Sequence, residues 1–373
     1  MLHFDKLLMV ATVAALASLL AACGTANELD QATRADPEPA SSPAAARPVD
    51  PHPDEVHIQN PRQLTFGGEN AEAYFSANGQ DIIFQSTRDA NQCDQQYTMK
   101  TDGSDLRQVS TGEGRTTCGY YTPDGSTIIY ASTHLGAREC PPVPDQSLGY
   151  VWPLYRSFDI FAANTDGTDL RRLTDADGYD AEGTVSPDGE KIVFTSTRDG
   201  DLDIYTMNVD GSEQTRLTDE LGYDGGPFFS PDSQWIVYRA GHPTDPAEVA
   251  RYEELIAQDL VQPDNLEVWI MRADGSEKRQ LTFYGGANWA PYFHPSGEKI
   301  IFASDMDNLS PRVPNFELYM INIDGTGLER LTFDDSFDGF PIFNADGSQL
   351  LWASNRFAEN EGNTNVFIAD WVE

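Results

Sequence analysis

The chain has 373 residues, and 60 acidic against 24 basic side chains give it a formal charge of −36 at neutral pH. So acidic a surface repels phosphate backbones, which argues against nucleic acid as a partner and suits a soluble, salt-tolerant protein. Length alone would allow two or three domains, but an internal repeat reduces them to one ring.

At the N-terminus, Leu7 to Leu20 is an apolar run of signal-peptide length, preceded by Lys6 and too short for a good membrane span. It leads into Leu20-Ala21-Ala22-Cys23, which resembles the bacterial lipobox, where the cysteine is lipidated and becomes the mature N-terminus. That resemblance implies a signal peptide over 1–22 and a lipid on Cys23. Gly24 is not the aspartate that retains such proteins in the inner membrane. The expected location is therefore the periplasm, anchored to the outer membrane, with the cell surface as the alternative. Residues 23–55 are rich in Ala, Pro, Asp and Glu without apolar periodicity, so they are expected to form a disordered tether. The membrane is then met through the lipid alone.

Beyond Val56 a unit recurs six times, most cleanly over 186–218 as SPDGEKIVFTSTRDGDLDIYTMNVDGSEQTRLT. Pro187-Asp188-Gly189 and Asp210-Gly211 are turn chemistry, since Asp bonds its own backbone and Gly takes positive φ. The short β-branched and aromatic runs 191–195 and 203–207 read as buried strands. With the runs before Pro187 and over 214–218 they make four strands per unit. Residues in the place of Ser186 are Ser76, Thr122, Ser230, His294 and Asn344, giving steps of 46, 64, 44, 64 and 50. A Leu-Thr-like ending steps with them, from Leu64-Thr65 to Leu331-Thr332. A period near 45 with four strands per unit predicts an all-β fold, a six-bladed β-propeller of four-stranded antiparallel blades.

The sixth copy ends without a fourth strand, whereas Arg62-Gln63-Leu64-Thr65 is a fourth strand with no blade before it. An N-terminal strand is therefore expected to close the ring. The long steps locate insertions at 134–157 and 241–266, on the same face and flanking blade three. The first is a Pro-stiffened aromatic loop; the second carries a helix that Asp245 caps, with Pro246 in its first position. Together they should wall a cleft beside one mouth of the channel.

Six residues before each anchor stand Asn70, Thr116, Asp180, Asp224, Asn288 and Asp338, expected to ring that mouth; two residues further on, Glu72 and Glu182 add carboxylates. Two readings are open. The oxygens cap turns within each blade, or they converge on a cation or on a partner's basic group, with Asp180, Asp224 and Asp338 as candidate ligands for Ca2+ or Mn2+. No cofactor is otherwise implied. Tyr179, Tyr223, Trp152, Tyr155 and Trp289 are expected to supply aromatic contacts at the same mouth. Of Cys93, Cys118 and Cys140, all on this face, two should pair and one stay free in an oxidising compartment; a bond from Cys140 would pin the aromatic insertion. The sequence has no H-E-x-x-H, no G-x-S-x-G and no nucleotide-binding glycine loop.

Val185-Ser186-Pro187-Asp188-Gly189, Ser196-Thr197-Arg198-Asp199-Gly200, Asp203-Ile204-Tyr205-Thr206-Met207 and Arg279-Gln280-Leu281-Thr282 resemble the WD-repeat-like blade of the TolB β-propeller family. The resemblance spans about residues 56–373 and implies a propeller that binds an envelope protein or peptide through its mouth. Catalysis by a lyase or hydrolase, or metal-dependent ligand binding in the same mouth, is the alternative that the fold also hosts.

Overall fold

The turn after Ser186 shows how the repeat folds. The Ser186 hydroxyl donates to Asp188 (2.6 Å) and accepts from the Lys191 N–H (3.0 Å), while Asp188 accepts from the Glu190 N–H (3.0 Å). Gly189 completes the turn at φ +77°, where a Cβ would be strained. This hairpin joins strands Asp180–Val185 and Lys191–Ser196; Asp203–Asn208 and the short Thr215–Arg216 complete an antiparallel blade.

The protein is described by a computed structural model over residues 46–307, 315–360 and 362–373. The fold is the expected one: six small antiparallel sheets arranged as a six-bladed β-propeller. Helices are few, with one α-helix among the described residues. Middle strands are buried on both faces; Ile192, Val193, Phe194 and Ile204 are all at 0% exposure. Each such large side chain contributes about 1.5–3 kcal/mol by leaving water.

The Leu-Thr ending has a physical role. In every blade the hydroxyl of its Thr or Ser accepts the N–H of a third-strand residue at 2.8–2.9 Å, as Thr218 does from Ile204 and Thr332 from Leu318. A side chain thus replaces the next carbonyl of the ladder, and the chain is free to cross to the following blade.

Strand Ile58–Gln63 pairs antiparallel with Asn365–Trp371 in blade six, so an N-terminal strand closes the ring. The packed structure includes residues before the expected boundary at Val56. Arg47–Pro48 adds a fifth short strand outside Ile58–Gln63, and Glu55, 2% exposed, bonds Arg356 at 2.9 and 3.1 Å. A carboxylate so deep is stable only beside its guanidinium, which is why these residues dock rather than belong to a tether. The signal peptide, Cys23 and the rest of the expected tether lie outside the described residues.

The helix runs Pro246–Ile256, with Asp245 capping the N–H groups of Ala247 and Glu248. Leu255 is its buried contact, and the Tyr252 hydroxyl reaches Asp201 (2.5 Å) and the Gly222 carbonyl (2.7 Å), fixing the helix against blades three and four. The two insertions do more than flank a cleft. Trp152–Pro153 of one pairs with Leu260–Val261 of the other, so they form one cover beside the channel mouth. Cys93 and Cys140 form a disulfide that pins the aromatic insertion to blade one, leaving Cys118 free.

Candidate functional site: the channel mouth

Each innermost strand carries a register shift, and at each shift one residue has positive φ: Glu72, Cys118, Glu182, Gly226, Ala290 and Phe340. A bulge bends the strand and re-aims the side chain at that point. All six line one pit on the ring axis. Two residues on, Tyr74, Tyr120, Phe228 and Tyr292 pack edge-to-face or tilted, with centroids 5.3–6.3 Å apart. This aromatic plug separates the pit from the opposite end of the channel, leaving about 30 Å³ for the centres of water-sized groups, one or two waters' worth.

The pit is polar on one side. Arg239 bonds Glu182 and, through Nε, the Tyr223 hydroxyl (2.8 Å), and its guanidinium lies 5.3 Å from the ring centres of both Trp152 and Tyr223. Glu182 also accepts from Thr195 (2.7 Å) and from the Gly226 N–H (2.9 Å) of the next blade. Glu72 is different: its Oε2 has no hydrogen-bond partner and no solvent contact, and its one polar neighbour in bonding reach is the Cys118 thiol. Burial above all, aided by the Glu182 charge, pushes the Glu72 pKa up to about 7, while the same burial holds the Cys118 thiol well above its usual range. The thiol is therefore a poor nucleophile here.

The native state thus binds Glu72's proton more tightly than the unfolded chain does. Its contribution to stability is full below about pH 4.5 and is lost as pH rises through 7. Glu72→Gln is expected to flatten that fall in a series of urea melts, by on the order of 3 kcal/mol between pH 4.5 and 8. An unchanged slope would show that Glu72 is not the protonated group.

The other expected ring does not converge on the mouth. Asn70, Thr116, Asp180, Asp224, Asn288 and Asp338 are each at 0–1% exposure, inside the wall of the ring. Each backbone N–H donates to a carbonyl of the preceding blade, as Asp180 does to Phe158 (3.1 Å) and Asp338 to Phe316 (2.9 Å). Their side chains are taken up locally. Arg198 holds Asp180 at 2.8 and 2.9 Å while lying 5.2 and 4.8 Å from the Phe194 and Tyr205 ring centres. His242 bonds Asp224 (3.0 Å), Arg356 bonds Asp338, and Asn288 donates to the Leu266 carbonyl (2.8 Å) and to Glu267. Asn70 accepts from Ser86 (2.8 Å) and donates to the Thr364 carbonyl (2.9 Å). Asp180, Asp224 and Asp338 therefore do not meet as ligands, and among the described residues no group of three His, Cys, Asp or Glu is placed to hold a metal. Asp180→Ala should leave Arg198 without its carboxylate, costing about 1–3 kcal/mol in a denaturant melt; calcium or manganese should not alter the size of that loss.

Of the expected aromatics, Tyr179, Tyr223 and Trp289 are 9%, 4% and 7% exposed, because the insertions lie over them. Trp289 packs on Trp152 (5.2 Å) and Phe316 (4.2 Å). Tyr155 and Trp152 are half-buried, and Tyr155 donates to the Pro142 carbonyl (2.7 Å). The ring left free is Tyr150, 66% exposed and stacked 6.4 Å from Trp289. Beside this aromatic group the helix and blade four enclose a cleft of about 500 Å³ that includes His242, Arg251, Tyr252 and Asp264.

Loops from fourth to first strands and from second to third strands emerge at the mouth. Among the described residues they carry seven of the ten exposed large apolar side chains, including Tyr150 (66%), Leu221 (45%), Phe283 (72%) and Phe357 (52%). Between them stand exposed carboxylates, Asp175, Asp177, Asp219, Glu220 and Asp335.

Residues 146–252 match the family described as the TolB beta propeller domain. No curated protein sequence matches the chain. Among solved structures, a putative TolB from Agrobacterium tumefaciens is 19% identical with a TM-score of 0.53, over 82% of this chain and 91% of that one. A gluconolactonase from Xanthomonas campestris is 13% identical with a TM-score of 0.57, over 88% and 98%. An oligogalacturonate lyase from Vibrio parahaemolyticus is 12% identical with a TM-score of 0.50, over 88% and 98%. At these identities the likeness is one of fold.

Proposed function

Since the chain is a TolB-like β-propeller, we propose that it acts by binding rather than catalysis, taking a protein or peptide partner on its mouth face. The observation that carries this reading is the gathering of exposed apolar side chains at that face within an acidic surround. Apolar patches rimmed by charge mark interaction surfaces, and the carboxylates select a partner with a basic surface. The proposal includes lipidation at Cys23, a tether, and an outer-membrane location facing the periplasm, all resting on the sequence before residue 46. Among the described residues no helix is long and apolar enough to cross a membrane.

The test is co-purification from native cells of the intact chain and two variants. Tyr150→Ala with Phe283→Ser alters the mouth; Leu328→Ser with Val372→Ser alters the opposite face. The expected result is loss of one partner with the first pair only, with binding that weakens as salt rises. Equal retention by both variants would remove the mouth from the account.

A second reading, a lyase, hydrolase or ligand binder, is favoured by one observation: the cleft against the helix is within the ~300–1,000 Å³ of small-molecule sites. The channel pit itself, at about 30 Å³, is too small for a sugar.

A further inference from the structure

We propose that the pit at the centre of the mouth is a receptor for one positively charged group of ammonium size, held by Glu72. The inference deepens the partner-binding reading and rests on it for the origin of that group. Three observations carry it. Glu72 is aimed inward by a left-handed bulge residue (φ 51°), and its Oε2 is a buried acceptor with no partner. Unpaired buried acceptors are uncommon in folded proteins and each calls for a reason. Next to it lies a space of about 30 Å³, enough for an ammonium group or a water and too small for a guanidinium with its hydration.

The charges facing Glu72 are also unbalanced. From blade three comes Glu182, from blade four Arg239, and from blade two the neutral Cys118 thiol; Asp94 of blade one also acts on Glu72 but is paired with Arg115 at 2.6 Å. Arg239 is already committed to Glu182 and Tyr223. Once Glu72 ionises, the pit carries one negative charge that nothing in the chain answers. A proton answers it in the empty protein, and a monovalent cation can do so in its place. A divalent ion would need more oxygens than Glu72 offers. The pit floor, Tyr74 and Tyr120, adds aromatic rings beside the site, which favour an ammonium over a metal ion. A terminal amine of a partner's lysine or N-terminus, or a free monovalent cation, shares this chemistry.

The experiment uses the intact purified chain without any partner, at pH 8 and constant ionic strength set by tetramethylammonium chloride. Ammonium or n-butylammonium chloride then replaces that salt stepwise, and the melting temperature is read. The expected result is a saturable rise of several degrees, as mass action requires of a ligand bound by the native state. It should be absent in Glu72→Gln and kept in Glu190→Gln, whose carboxylate is exposed on a turn. A rise with ammonium alone assigns the pit to a free cation, and a rise with both salts to an amine carried on a chain. Because Glu72→Gln removes a buried charge, it should fold at least as well as the parent, so a flat response there reports the site. No rise with either salt, or an equal rise in Glu72→Gln, would overturn the proposal while leaving partner binding at the mouth untouched.

Discussion

A chain lacking residues 46–65 is expected to lose its soluble, cooperatively melting fold. Strand Ile58–Gln63 covers the outer edge of blade six, and the Thr65 hydroxyl accepts from the Val366 N–H at 2.9 Å. Its removal would leave Asn365–Trp371 as an exposed edge, a template for pairing with other chains. The same deletion takes away Glu55, which shares Arg356 with Asp338. These groups are 2%, 6% and 0% exposed, so the loss unbalances a buried charge cluster. Size-exclusion and a thermal melt should show aggregate or an unfolded chain; a monomer that melts cooperatively would show that the N-terminal strand is not needed for closure.

Arg239→Ala should be the most damaging single substitution at the mouth, by about 3–5 kcal/mol. It strands Glu182 beside the pit and removes the guanidinium on which Trp152 and Tyr223 rest. The cover formed by the two insertions should loosen with it. Urea melts measure the loss, and adding Glu182→Ala should restore part of it, because the second change removes the stranded charge. A loss under 1 kcal/mol would mean that the pair is solvated and that the mouth does not depend on it.

The repeat made the architecture readable, since turns and endings recur and each has a local cause, such as Thr218 accepting from Ile204. The acid ring was harder to read. Asp180 and its counterparts look like converging ligands in the sequence, yet the group that neutralises each one was also present, eighteen residues on: Arg198 for Asp180, His242 for Asp224, Arg356 for Asp338. Where the ring residue is uncharged the later position varies, with Arg88 after Asn70, His134 after Thr116 and Met306 after Asn288, but after every acid it is basic. The basic residue that follows each of the three acids marks them as internal pairs.

The repeat places Glu72 and Glu182 at the mouth, but their inward aim depends on bulges that no residue type announces, since Glu, Cys, Gly, Ala and Phe all occupy the left-handed position. For the same reason the plug of Tyr74, Tyr120, Phe228 and Tyr292 reads as ordinary strand core. Arg239 left a signal. In the other copies its position holds Gln85, Ala131, Thr195, Ala303 and Ala353, so a lone charge stands among small or neutral residues. The burial of Tyr179, Tyr223 and Trp289 follows from the pairing of Trp152–Pro153 with Leu260–Val261, two insertions more than a hundred residues apart.

The most direct test of the mouth as the working surface is site-specific photo-crosslinking in native cells, with the probe placed singly at 150, 221 and 283 on that face and at 56, 328 and 372 on the other. The account predicts one shared crosslinked partner from the first three positions and none from the second. Crosslinks confined to the opposite face, or spread equally over both, would contradict it.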